Sequence, residues 1–124
     1  MKTVKIYLRS IVKDGEKRLA MFDSNRQGDI NDLRTDVPFG AKVIWKLDRC
    51  SGIKRITRIY SKETDHLVFK SEPGKRLLCK GFELQLGEKA EGEEKYTIEC
   101  VLYDDTELVI DPFLRVPPPP PTGE

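Results

Sequence analysis

The stretch "GFELQL", residues 81–86, sets the class of the fold: Phe82, Leu84 and Leu86 fall on one side of an extended chain, Glu83 and Gln85 on the other. Successive side chains of a strand point to opposite faces, so this is a strand with one buried and one wet face. The pattern recurs outward in both directions. In "EKYTIECVLYDD", 94–105, Tyr96, Ile98, Cys100 and Leu102 share the inward parity. In "TELVIDPFLRV", 106–116, Leu108, Ile110, Leu114 and Val116 do so, and Pro112 imposes a break or an edge. Upstream, Val43, Trp45 and Leu47 alternate with Lys42 and Lys46, although Ile44 interrupts the pattern. "GIKRITRIYSK", 52–62, places Ile53, Ile56 and Ile59 three apart, as a strand with a bulge would.

The amino-terminal "TVKIYLRSIV" puts Val4, Ile6, Leu8 and Val12 inward, with Lys5, Tyr7 and Arg9 on the polar face. The Asp-Gly of "KDGEK" then turns the chain into "RLAMFD", which makes residues 3–23 a hairpin. Residues 24–40 have loop composition, and a loop of that length in a compact domain binds something or contains a short helical turn. No amphipathic helix and no internal repeat is visible. The expected architecture is all-β: an antiparallel Greek-key β-sandwich, or a barrel, of about seven or eight strands. Residues 1–116 form one domain, and 117–124 form a proline-rich tail. Pro117 to Pro121 lack amide donors and have fixed φ, so they favour polyproline II outside the fold.

At 124 residues, with 38% hydrophobic and 35% charged side chains, the chain suits a soluble single domain. It has no apolar run long enough for a membrane helix and no visible signal peptide. Cys50, Cys79 and Cys100 are odd in number and scattered, which points to reduced thiols and, by default, the cytoplasm. The net charge of +1 conceals a split. Residues 1–62 hold 15 Lys and Arg against 7 Asp and Glu, net +8, and residues 63–124 hold 7 against 14, net −7. The halves either pair across neighbouring strands or present two opposed surfaces.

"PFGAKVIWKLD", then "FKSEPGKRLLCKGFELQL" and "EKYTIECVLYDD", resembles the order of strand signals in cupredoxins over residues 38–116. In that family a Gly-x-x-Val-x-Trp strand precedes the metal loop and a Tyr-x-x-x-Cys strand comes near the end. The resemblance implies a cupredoxin-like sandwich. A blue-copper centre needs two imidazoles and a thiolate, and His66 is the only histidine here. The copper function is therefore expected to be absent, with Cys100 a core thiol.

Zinc is disfavoured because the thiols and His66 lie far apart in the sequence. Asp29, Asn31, Asp32 and Asp36 offer oxygen ligands but lack the spacing of a calcium loop. Asp104, Asp105 and Glu107 read as a solvated turn, and His66 beside Asp65 as a turn residue. No nucleophile elbow, P-loop or dinucleotide fingerprint occurs. No cofactor and no catalytic residue is expected, and the chain reads as a non-catalytic binding or assembly module of unknown ligand and partner, a protein ranking ahead of nucleic acid. The alternative is an anion or single-stranded nucleic-acid binder using Lys42, Lys46, Arg49, Lys54, Arg55, Arg58 and Lys62, with Trp45 or Tyr60 stacking on bases. Trp45 shares the parity of Val43 and Leu47, which makes it a core residue first. An enzyme of unknown class is the third reading.

Overall fold

Alternation along the chain becomes three β-sheets in the computed structural model, which describes residues 3–22, 34–76, 81–87 and 90–118. Among these residues there is no helix, and eleven strands replace the expected seven or eight. They are β1 (Thr3–Lys13), β2 (Glu16–Phe22), β3 (Arg34–Asp36), β4 (Lys42–Leu47), β5 (Ile53–Tyr60), β6 (Gly74–Lys75), β7 (Phe82–Gln85), β8 (Gly92–Lys95), β9 (Thr97–Leu102), β10 (Glu107–Ile110) and β11 (Phe113–Val116). The excess comes from pieces as short as β3 and β6, too brief to show a period of two.

The five-stranded sheet has the order β2-β1-β4-β7-β6, and two three-stranded sheets have the orders β10-β9-β5 and β3-β11-β8. An all-antiparallel arrangement was expected, but β1 and β4 run parallel, as do β3 and β11. A parallel pair needs a connection that brings the chain back to the same end; residues 14–41 lie between β1 and β4, and β2, antiparallel to β1, makes that return. Of the 24–40 loop, the described part contains β3; the remainder, with Asp29, Asn31 and Asp32, lies outside the described residues, as do Cys79 and residues 119–124 of the tail.

The β1–β2 hairpin turns at Asp14 and Gly15, both with positive φ (53° and 78°), as a two-residue turn between twisted strands requires. Between β4 and β5, Cys50 and Gly52 also adopt positive φ. Ile53, Ile56 and Ile59 are all buried, and β5 slips register against β9 between Ile53 and Arg55 and again between Ile56 and Arg58. Each slip inserts an extra residue, which is how a period of three keeps one face inward.

All three sheets contribute to one hydrophobic cluster. At its centre Trp45 is 0% exposed and its Nε1 donates to the Tyr96 hydroxyl at 3.1 Å. Phe69 completes an aromatic group, with ring centroids 6.3 Å from Trp45 and 4.9 Å from Tyr96. Val12 departs from its expected inward place and is 69% exposed. The β1–β4 pairing ends at Leu8, so this part of β1 runs past its parallel neighbour and Val12 finds no cover.

Candidate binding surface

The basic stretch 42–62 divides between two sheets. Lys42 and Lys46 point outward from β4, in the middle of the five-stranded sheet, on the face opposite Val43 and Trp45. Arg49 lies in the following turn, exposed. Lys54, Arg55 and Arg58 project from β5, the edge of a different sheet, and Lys62 follows it. Since the inner faces of β4 and β5 both enter the common cluster, the core lies between the two sets.

Several of these cations have acidic partners. Lys42 pairs with Glu83 at 3.2 Å, Lys54 with Asp105 at 3.4 Å, and Arg58 with Glu72 through two hydrogen bonds. Lys17 pairs with Asp104, and Arg34 with Glu93. In each case a base from the first half of the chain meets an acid from the second, so the opposite charges of the halves are matched across the fold. Asp104 and Asp105 thereby become partners of lysines, and Asp36 lies 3.9 Å from Arg115. Among the described residues, no group of three or more His, Cys, Asp or Glu is placed to hold a metal ion.

The two aromatic side chains of the stretch have different fates. Trp45 is buried. Tyr60 is clasped, with the Arg58 guanidinium 4.0 Å from its ring centroid, the Lys62 ammonium at 5.8 Å, and its hydroxyl donating to Glu99 at 2.8 Å.

Beside Tyr60 lies a depression of about 210 Å³ lined in part by Arg58, Ser61, His66, Lys70 and Glu72. Behind its wall, Glu94 has only 1% of its side chain exposed. Its Oε1 accepts the backbone N–H groups of Val68 and Phe69, each at 2.9 Å. Its Oε2 accepts the Ser61 hydroxyl and faces His66 Nδ1 at 2.9 Å. Burial alone would raise the pKa of this carboxyl, but the Phe69 amide, the Ser61 hydroxyl, the Val68 amide and the His66 ring outweigh it and hold the pKa below the usual range. The result is a fixed negative charge that fastens the segment between β5 and β6 and seats Phe69 against Trp45 and Tyr96. His66, 45% exposed at its side chain, is held through Nδ1. Sequence reading missed Glu94, although its position continues the inward parity of Tyr96 and Ile98.

On the outer face of the five-stranded sheet, strand register brings together side chains that are distant in sequence. Phe22 on β2 is opposite Tyr7 on β1, which is opposite Lys46 on β4. The adjacent rows are Lys5, Ile44 and Glu83, then Thr3, Lys42 and Gln85. On the other side of Tyr7 stands Arg9, 3.5 Å from Asp48. Lys5 and Lys46 have no carboxylate partner among the described residues. The face therefore carries Lys5, Arg9, Lys42 and Lys46 against Asp48 and Glu83, with two partly exposed rings among them. The polar parity of Lys5, Tyr7 and Arg9 was visible in the sequence; their juxtaposition with Phe22 and Lys46 was not, because it depends on the registers of the β1–β2 and β1–β4 pairs.

Among the described residues, no helix is long and apolar enough to cross a membrane. No known family model and no curated protein matches this chain.

Proposed function

We propose that this chain is a non-catalytic binding or assembly module on a cupredoxin-like Greek-key sandwich without copper. The fold reading is supported by the meeting of the residues that carry the resemblance: Trp45 of the Gly-x-x-Val-x-Trp strand is hydrogen-bonded to Tyr96 of the Tyr-x-x-x-Cys strand, and Cys100 faces the same core. The non-catalytic reading rests on Glu94. Both its oxygens are engaged by donors that fasten a loop, and the Ser61 hydroxyl is bound to that carboxylate. Nucleophilic catalysis by Ser61 would instead require its hydroxyl to be bonded to a base such as His66.

A module of this kind acts through its surface, and the outer face of the five-stranded sheet is its best-equipped part. The immobilised protein should retain a partner from native lysate that the His66→Asn variant also retains and the Lys42→Glu/Lys46→Glu variant loses. Turnover of an ester, phosphoester or peptide that disappears in His66→Asn would overturn the reading.

A further inference from the structure

On the outer face of the β10-β9-β5 sheet the charges are sorted into columns. β5 presents Lys54, Arg55 and Arg58, while β10 presents Glu107, with Asp105 and Asp111 just before and after it. β9 separates the two columns. Across the sheet, Glu107 is opposite Val101, which in turn is opposite Arg55. In the neighbouring row of Val109, Glu99 and Arg58 the charges are satisfied within the chain, because Glu99 takes the Tyr60 hydroxyl and Arg58 holds Glu72. Arg55 and Glu107 are both exposed and have no charged partner among the described residues, being two strand spacings, about 10 Å, apart. Apolar side chains lie open between the columns. Val109 is 58% exposed, and Tyr103 is 67% exposed. Tyr103 continues the outward parity of Val101 past the end of β9, where its N–H donates to the Gly52 carbonyl.

We propose that this face docks on a second copy of the chain, in a weak two-fold dimer where Glu107 of each copy pairs with Arg55 of the other. A two-fold axis parallel to β9, lying between two stacked sheets, places the β10 of each copy over the β5 of the other and keeps each row at its own level. Both unpaired charges thereby gain a partner, twice over. Val101 and Tyr103 meet their own counterparts near the axis, and Val109 is covered by the partner's β5. An axis across the strands would instead stack β10 on β10 and β5 on β5, like charge on like. Stacking of faces leaves the β5 edge unpaired, so its bulges and cations do not oppose it. This face is separate from the outer face of the five-stranded sheet, so each can act without the other. Three strands of about five residues span roughly 14 by 16 Å, a few hundred Å² per copy, well short of the roughly 800 Å² per partner of a stable complex. The dimer should therefore have a Kd on the order of 100 µM and be negligible at a few micromolar.

The test is sedimentation equilibrium of the full chain at low salt, from about 10 µM to about 1 mM. Wild type should follow a monomer–dimer equilibrium that weakens as salt screens the ion pairs. Glu107→Arg and Arg55→Glu should each weaken dimerisation about tenfold or more, because each sets like charges against each other twice. An equimolar mixture of these two variants should form a mixed dimer, since every reversed charge then meets its opposite. The double variant Glu107→Arg/Arg55→Glu should regain wild-type affinity within about threefold. Val109→Ser should weaken the dimer about fivefold. Unchanged Trp45 emission, reporting from the core, shows that each variant is folded. A wild-type chain still monomeric at the highest concentration, charge-reversed variants that dimerise as wild type does, or a mixture or double variant that stays monomeric would overturn the proposal.

Discussion

Strands β4 and β5 are separated by a five-residue turn and look alike in sequence, each with β-branched residues among lysines and arginines, yet they occupy opposite situations. β4 lies between β1 and β7, keeps its register with both, and buries Val43 and Trp45. β5 is an edge, bulged twice, with three outward cations. Outward lysines on the central strand mark a broad face where neighbouring strands add further side chains. Outward cations on the edge strand, together with the bulges, obstruct pairing with another chain. The same composition thus lies on a broad sheet face in one place and guards a sheet edge in the other.

The largest effect that would test this contrast is on Trp45. Trp45→Ala should cost about 3–5 kcal/mol in urea unfolding, because it opens a cavity at the centre of the cluster and leaves the Tyr96 hydroxyl without its donor. Wild-type emission should be blue-shifted. Tyr60→Ala on β5 should move the midpoint far less, and equal shifts would erase the distinction between the strands.

Glu94 ranks next, because it anchors the segment that follows β5. Glu94→Gln should cost about 1–3 kcal/mol at neutral pH, as expected when buried donors lose a charged acceptor. Its folded-state pKa is depressed, so the unfolded chain binds the proton more readily. The stability the carboxylate contributes is therefore complete above its unfolded pKa, about 4.3, and is lost as pH falls through the lower folded value. Urea midpoints of wild type and Glu94→Gln should lie well apart at pH 7 and converge in acid. A constant gap would show that the charge does not hold the loop.

Removing the edge charges should act on association more than on stability. Lys54→Thr/Arg55→Thr should shift Tm by less than about 2 °C, as exposed substitutions do, while sedimentation detects self-association. A variant that stays monomeric would leave protection of β5 to the bulges alone.

The mildest test is chemical. In a Cys79→Ser background, Cys50, exposed in the β4–β5 turn, should react readily with a thiol reagent. Cys100, opposite Ile56 on β9 and with its thiol pKa pushed by burial up to about 11, should react only on unfolding. Comparable rates under native conditions would mean that the β5–β9 pair opens easily.

Much of the fold was legible residue by residue. The inward set Phe82, Leu84 and Leu86, the set from Tyr96 to Leu102, the bulge implied by Ile53, Ile56 and Ile59, the Asp-Gly turn and the break at Pro112 all occur as read. The candidate site was legible only in part. Lys42 and Lys46 were named together with Lys54, Arg55 and Arg58, from which the core separates them, while Phe22 and Glu94 were not singled out. Val12 follows its strand's parity, yet it is exposed because its parallel neighbour has ended.

By itself the sequence determined that the chain forms strands and which side of most strands faces inward, because the pleat makes facing a local property of alternate residues. It also determined where the chain turns, since Asp-Gly tolerates the positive φ of a tight turn and Pro fixes φ, whatever surrounds them. Only the tertiary structure decided which strands are neighbours, that β1 and β4 run parallel, and that opposite charges from the two halves meet. It also decided which polar groups Glu94 gathers and which ring stands beside Lys46. Pairing joins segments far apart in the chain, and its free energy comes from burial and hydrogen bonds that exist only after closure, so no local pattern encodes it.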